Sequence, residues 1–135
     1  MSDTIPKMRT ITLTDRAPVR INEAEWPVIA AASYKDFDGQ YDFQANRTWK
    51  IEFRVRQHAD GRAIVYATYD YSSQFQNEAG EAYRIGVVLA PDDDRPTAIH
   101  RVRNQLVDRV AYDTRHRHIG NTADECIADL PAEAL

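Results

Sequence analysis

Apolar and charged residues alternate along residues 48–58, and this pattern constrains the fold more than any other feature of the chain. Successive side chains of a strand point to opposite faces, so we expect one buried and one solvated face, as in an antiparallel sheet. Asp60-Gly61 then predicts a hairpin turn, and residues 64–71 are predicted to return as the partner strand. The apolar positions of the first strand are Trp49, Ile51, Phe53 and Val55.

Weaker patterns before residue 48 predict two strands and a helix. Residues 9–14 and 19–21 read as short strands. Asn22 and Glu25 have the spacing of a capping box, which predicts a helix over the residues that follow. Its apolar face would be formed by Trp26, Ile29, Ala30 and Ser33.

The second half of the chain predicts a further strand at 83–89 and two helices. The run 92–94 precedes Pro96, which suits the start of a helix, where acidic side chains meet the positive end of the helix dipole. We expect a break in the helical structure at Gly120, followed by a last short helix. We therefore predict a single domain over 1–135 of the α+β class, an antiparallel sheet of about five strands with helices packed on one face, in the order ββαβββαα. The apolar stripe of the longer helix would be Ile99, Val102, Leu106 and Val110.

Composition weighs against several classes of function. The net charge is −4, which weighs against a protein that coats DNA through a broad basic face. The longest apolar run, residues 28–32, is far shorter than the roughly 20 residues of a membrane-spanning helix. Residues 1–10 contain no apolar core before a cleavage site, so we expect no secretion signal. Cys126 is the one cysteine, which fits a reducing compartment. We expect a cytoplasmic protein with no membrane association.

No motif selects catalysis or a metal. The acidic loop at 36–42 lacks the ligand spacing of a calcium loop, so a turn around Gly39 that leads into the next strand explains it better. Cys126 with His116 or His118 matches no four-ligand zinc pattern. The same residues are the first to test as a nucleophile and its base. We expect no cofactor, no metal and no enzymatic activity.

Two basic surfaces suggest an alternative role in binding nucleic acid. Residues 101–118 hold five arginines and two histidines against two aspartates. Basic side chains beside tyrosines are typical of single-strand binding. Residues 22–115 also follow the element order of a double-stranded-RNA-binding domain, although 92–96 replaces its lysine-rich helix start. The residues of this alternative are Arg54, Arg56, Arg101 and Arg109, with Tyr69 and Tyr71 on the neighbouring strand.

Several longer stretches resemble a known group of proteins. The chain is similar to small uncharacterised proteins encoded on plasmids, integrative elements and phages of proteobacteria. The resemblance implies an accessory protein of mobile DNA, a population that includes anti-CRISPR and other anti-defence inhibitors, and it assigns no catalytic residue. The stretches that carry it are residues 9–14, 18–21, 26–30, 41–49, 55–62, 65–71 and 124–131.

These observations lead to one functional prediction. We expect a non-enzymatic binding protein of a mobile genetic element that acts by protein–protein contact, with an anti-CRISPR-like inhibitor as its sharpest form. Acidic patches at 92–94 and 121–135 would meet a basic partner surface by charge complementarity. A homodimer formed through a sheet edge stays open. The predicted partner-binding residues are Asp92, Asp93, Asp94, Tyr69 and Tyr71.

Overall fold

The computed structural model describes residues 5–38, 47–75 and 79–132, which form six strands followed by two helices. The predicted α+β class with helices on one face of an antiparallel sheet is confirmed. The strands are β1 (Met8–Ile11), β2 (Val19–Asn22), β3 (Val28–Asp38), β4 (Arg47–Gln57), β5 (Ala63–Ser73) and β6 (Glu81–Leu89), and the helices are α1 (Arg95–Arg109) and α2 (Asp113–Ala128).

The six strands divide between two sheets. Strands β3 to β6 form an antiparallel meander in chain order, and β1 pairs with β2 in a separate hairpin. Consecutive antiparallel strands need only short connections. One such connection is the predicted turn at Asp60-Gly61, where Gly61 has φ of 95°, a conformation that glycine adopts without a steric penalty.

The alternation along β4 produces the buried face that the sequence predicts. Ile51, Phe53 and Val55 are all fully buried, and their cross-strand neighbours on β5 point the same way. Helix α1 packs on β5 and β6, and α2 packs on β3 and β4. We call this helix-covered side the inner face.

Helix α1 has the predicted apolar stripe. Ile99, Val102 and Leu106 are fully buried against the sheet. The helix begins after Asp94, whose Oδ2 accepts hydrogen bonds from the backbone N of Thr97 at 2.9 Å and from its Oγ1 at 2.5 Å. A side-chain acceptor at this position satisfies backbone donors that the first helical turn leaves open. The predicted acidic start of the helix is thereby confirmed.

The opposite, outer face of the sheet is only partly solvated, because the β1–β2 hairpin covers some of it. Arg56 was predicted to lie on a wet face, yet it is 5% exposed. Its Nε donates to the hydroxyl of Tyr66 at 2.8 Å, and its Nη1 donates to the Trp26 carbonyl at 3.0 Å. The hairpin thus brings a second small core to this face. That core consists of Ile11, Leu13, Ile21, Trp26, Ile64 and Tyr66.

One predicted helix and one predicted helix boundary are wrong. The region predicted as a helix after Asn22 contains β3 instead, so the element order is ββββββαα. The Asn22 Oδ1 accepts a bond from the N of Ala24 at 2.9 Å, which closes a turn rather than capping a helix. Gly120 does not end a segment but lies inside α2. The predicted turn at Gly39 lies outside the described residues.

Glycine at residue 86 allows the hairpin to approach the sheet closely. A Cβ added there would lie 2.7 Å from the Thr12 carbonyl oxygen. We predict that Gly86→Ala lowers the free energy of unfolding by about 1–3 kcal/mol, because backbone must move to relieve the overlap. Urea denaturation followed by circular dichroism measures the change.

Gly120→Ala is the matched control for that substitution. Its added Cβ meets no described atom within 4 Å, and alanine inside a helix is favoured over glycine by roughly 0.5–1 kcal/mol. We therefore expect opposite signs for the two variants. Equal changes in stability would contradict the close approach at Gly86.

Candidate functional site

The acidic run 92–94 and the residues at the end of α2 lie apart in the sequence but border one groove at an end of the helix layer. The predicted acidic patch at 121–135 contributes Ile127, Leu130 and Pro131 to its described lining, and none of these is acidic. The groove has a volume of about 660 Å³ and runs between the residues before α1 and those that end α2. Asp92, Asp93 and Asp94 form its acidic side. All three aspartates, which the sequence analysis proposed as partner-binding residues, are exposed.

The three aspartates have different local roles. The Asp93 Oδ2 accepts from the N of Ala90 at 2.8 Å, and Asp94 caps α1. The hydrogen bonds from the side chain and backbone of Thr97 lower the pKa of Asp94, so it stays ionised. Asp92 makes no hydrogen bond or ion pair within the described part of the chain, which leaves its carboxylate available to a partner.

Arg95 holds the acidic side in place. Its Nη1 donates to the Asp93 carbonyl at 2.6 Å and to the Pro91 carbonyl at 3.1 Å. Its Nη2 donates to the Gly61 carbonyl at 2.6 Å. The guanidinium is therefore used to join the β4–β5 turn to the segment before α1. Charge-assisted bonds of this kind are stronger than neutral ones, so the rim is well fixed.

The other side of the groove is apolar. Ile29 from β3 and Ile127 and Leu130 from the end of α2 contribute aliphatic surface. Nearby, the Asp129 Oδ2 accepts from the N of Ala31 at 2.9 Å, which ties the end of α2 to the edge of β3. An apolar wall opposite an acidic rim suits a segment that carries both apolar and basic side chains.

The structure does not gather the proposed nucleic-acid residues on one surface. Arg54 lies on the outer face and pairs with Glu52 at 3.4 Å, and Arg56 is buried. Arg101 and Arg109 belong to α1, on the other side of the sheet. Arg101 also pairs with Asp15 at 3.0 Å.

Tyr69 and Tyr71 do not form an exposed platform. They are 0% and 3% exposed, and both lie on the inner face. Neither ring therefore has a surface on which a base or a protein partner could stack in this conformation. The alternation of side chains along β5 predicts that both tyrosines lie on one face of the sheet. It could not show that the helices cover that face.

The sheet edges are partly occupied. On β3 the N–H of Ala31 donates to Asp129. On β6 the Gly86 carbonyl accepts from the N of Thr14 at 2.9 Å, and the Gly86 N donates to the Thr14 Oγ1 at 3.2 Å. Contacts of this kind reduce the free edge available for strand pairing with another chain. The homodimer stays a prediction.

A cluster that the sequence analysis missed surrounds Arg115 of α2. Its guanidinium carbon lies 4.0 Å from the centre of the Tyr112 ring, 4.2 Å from that of Trp49 and 4.5 Å from that of Tyr71. Its Nη1 donates to the Tyr69 hydroxyl at 2.8 Å. Burial raises the pKa of that hydroxyl, and the bond from Arg115 acts against the rise.

Next to this cluster, aromatic and acidic side chains continue along the inner face. The hydroxyl of Tyr34 donates to the Asp36 Oδ2 at 2.6 Å, which raises the pKa of the phenol and lowers that of the carboxyl. The Tyr34 ring stacks on His118, with centroids 4.3 Å apart. No local pattern could have identified this region, because α2 and three different strands contribute to it.

The structure separates the residues considered for metal binding or nucleophilic catalysis. His118 and Cys126 both lie on α2, and a separation of eight residues corresponds to about 12 Å along a helix. The His116 Nε2 lies 2.6 Å from the Val110 carbonyl oxygen. Within the described ranges, no three His, Cys, Asp or Glu side chains are placed to hold a metal ion.

Comparison with known proteins finds no matching family model, no matching curated protein and no matching solved structure. Neither helix in the described part of the chain has the length and apolar character that crossing a membrane requires. Among the described residues, the groove beside α1 is therefore the feature on which a proposal about function can be based.

Cys126 should behave as an inert core residue. It is fully buried, and burial, with a smaller contribution from Asp129, raises the pKa of its thiol to about 11. Since the thiolate is the reactive form, we predict negligible reaction of the native protein with a disulfide reagent at pH 8. One thiol should react at once after unfolding in guanidinium. Rapid labelling of the folded protein would contradict this placement.

Proposed function

We propose that this protein is a non-enzymatic binding protein that contacts a protein partner through the acidic groove. The observation that carries the proposal is the convergence of Asp92–Asp94 and the end of α2 on one groove of about 660 Å³. Hydrophobic surface supplies affinity in such contacts, while charge supplies orientation and a faster association. A groove that offers both is suited to recognition.

The chemistry of the groove favours a basic segment with apolar side chains as the partner. Arg95 is the one basic residue among the described residues that line the groove, and the three aspartates outnumber it. The side chains of Asp93 and Asp94 accept backbone hydrogen bonds, whereas that of Asp92 accepts none within the described residues. A lysine- or arginine-rich surface would therefore find an uncommitted carboxylate beside an aliphatic wall.

The sharper form of the proposal is an anti-defence inhibitor. The sequence resembles accessory proteins of mobile DNA, and CRISPR effectors hold nucleic acid in positively charged channels. An acidic, partly apolar groove has the charge to dock at the border of such a channel. In that role the protein would compete with nucleic acid without any catalytic step.

The nucleic-acid alternative has weaker support. Its tyrosines are buried and its arginines lie on both sides of the sheet. Nucleic-acid binding would also be strongly weakened by salt, because counterions are released on binding. That dependence makes the two proposals easy to separate.

Charge reversal at Asp92 tests the groove. We predict that Asp92→Lys weakens binding to the protein partner at least about tenfold, because two like charges would then oppose each other across the interface. The partner is first captured from nuclease-treated host lysate with the tagged protein and identified by mass spectrometry. Its affinity for the wild-type protein and for each variant is then measured with purified components.

Asp108→Lys is the matched control for Asp92→Lys. Asp108 is exposed on the last turn of α1. Like that of Asp92, its carboxylate makes no hydrogen bond or ion pair within the described ranges. The control changes net charge by the same amount and should leave binding intact. Equal effects of both variants would refute a specific groove. Recovery of nucleic acid alone, lost at high salt, would favour the alternative and make Arg54 and Arg101 the first residues to mutate.

A further inference from the structure

Strand β3 forms one edge of the four-stranded sheet, because β4 is its one neighbour among the described strands. In an antiparallel edge strand, every second residue turns both its N–H and its C=O away from the neighbouring strand. The N of Ala31 donates to the Asp129 Oδ2 at 2.9 Å, and the N of Phe37 donates to the Asp36 Oδ1 at 2.8 Å. The odd-numbered residues of β3 are therefore the ones whose backbone faces outward.

Between these two capped positions lies a short open segment of the edge, residues 33–35. The outward N–H and C=O groups of Ser33 and Lys35 bond to nothing within the described residues. Both residues are exposed, while the pairing of β3 with β4 continues without interruption on the other side of the strand. Unpaired backbone of this kind is a template for a strand of another chain.

We propose that the open segment pairs with the same segment of a second copy of this chain, antiparallel, with the two-fold axis beside Tyr34. Ser33 of one copy then lies opposite Lys35 of the partner subunit, and the reverse pair forms on the other side of the axis. Each pair exchanges two backbone hydrogen bonds. The dimer joins two four-stranded sheets into one continuous sheet, and it does not use the acidic groove.

The capped positions select this register over its two neighbours. An axis at Lys35 would place two lysines directly opposite each other, which is destabilising, and would set Ser33 against the capped Phe37. An axis at Ser33 would set Lys35 against Ala31, whose N–H is already bonded. With the axis at Tyr34, both open N–H groups of each copy find a carbonyl acceptor.

The self-complementarity of the segment identifies a second copy as the occupant. Beyond the open positions, this register places Ala31 opposite Phe37 of the partner subunit. Both of these N–H groups already have acceptors in their own chain, so the pairing ends there without an unsatisfied donor. The twist between adjacent strands then carries the two chains apart. Lysine on an edge often prevents pairing, but here Lys35 faces a serine and keeps its side chain in water.

Sedimentation equilibrium of the intact wild-type chain tests for the dimer. The paired segment is short, and stable interfaces bury about 1,200 Å² or more, so we expect a dimer that forms at millimolar concentration and dissociates on dilution. A monomer at every concentration up to millimolar would overturn the proposal. Growth beyond the dimer would also overturn it, because a two-fold interface is closed.

Amide hydrogen exchange measured by NMR locates the interface without any substitution. The N–H groups of Ser33 and Lys35 should exchange more slowly at millimolar than at micromolar concentration, because pairing protects them from water. The N–H of Arg84 should exchange equally fast at both, since it faces outward on the other edge, in phase with Gly86, whose N donates to the Thr14 Oγ1. Protection of Arg84 alone would refute the assignment to β3.

Lys35→Pro removes one outward N–H from each copy and leaves the bonds between β3 and β4 in place. Proline is tolerated on an edge strand where its nitrogen faces solvent. We expect dimerisation to weaken at least about tenfold, because the two-fold axis removes two hydrogen bonds at once. Arg84→Pro is the matched control, since it removes a cation and an outward N–H from β6, and it should leave dimerisation unchanged. Circular dichroism checks that both variants fold. Equal losses in the two variants, or a loss confined to Arg84→Pro, would contradict the proposed interface.

Discussion

The positions of both helices depend on the burial of one face of the central strands β4 and β5. Ile51, Phe53 and Val55 are fully excluded from water, and burial of each such side chain contributes about 1.5–3 kcal/mol. Both helices attach to this face, so it sets where the two helices pack. The acidic groove and the Arg115 cluster lie towards opposite ends of α2, with Arg115 and Ile127 about 18 Å apart along the helix axis. One packing surface therefore positions two chemically different regions.

The sequence predicts the elements whose signal is local. Alternation predicts β4 and β5, and the apolar stripe and Asp94 predict α1. The prediction fails at β3, where residues 28–33 are rich in alanine, a strong helix former. Pairing with β4 along most of its length overrides that preference, since the strand completes the sheet under α2. Gly120 misleads for a related reason, because tertiary packing of the neighbouring Ile119 keeps α2 continuous.

A candidate site could be predicted from the sequence only where its residues form one continuous stretch of the chain. The run 92–94 is visible in the sequence, but its approach to Ile127 and Leu130 depends on how the two helices pack. The tyrosines of β5 illustrate the opposite problem. Alternation assigns Tyr69 and Tyr71 to one face, yet only the packing of the helices decides that this face is covered. Arginine gives no sign of burial in a sequence, so Arg56 and Arg115 both read as surface charges.

The two buried arginines, Arg56 and Arg115, are accommodated in different ways. Arg56 donates to a hydroxyl and to a backbone carbonyl, and the carboxylate of Glu23 lies 3.8 Å from its Nη2. The chain has thus supplied neutral acceptors and a counter-charge. Arg115 receives one hydroxyl and three rings, while its Nε has no acceptor in the described chain and Glu81 stays unpaired beside it. The same fold therefore accommodates one buried guanidinium mainly through oxygen acceptors and the other mainly through the faces of aromatic rings.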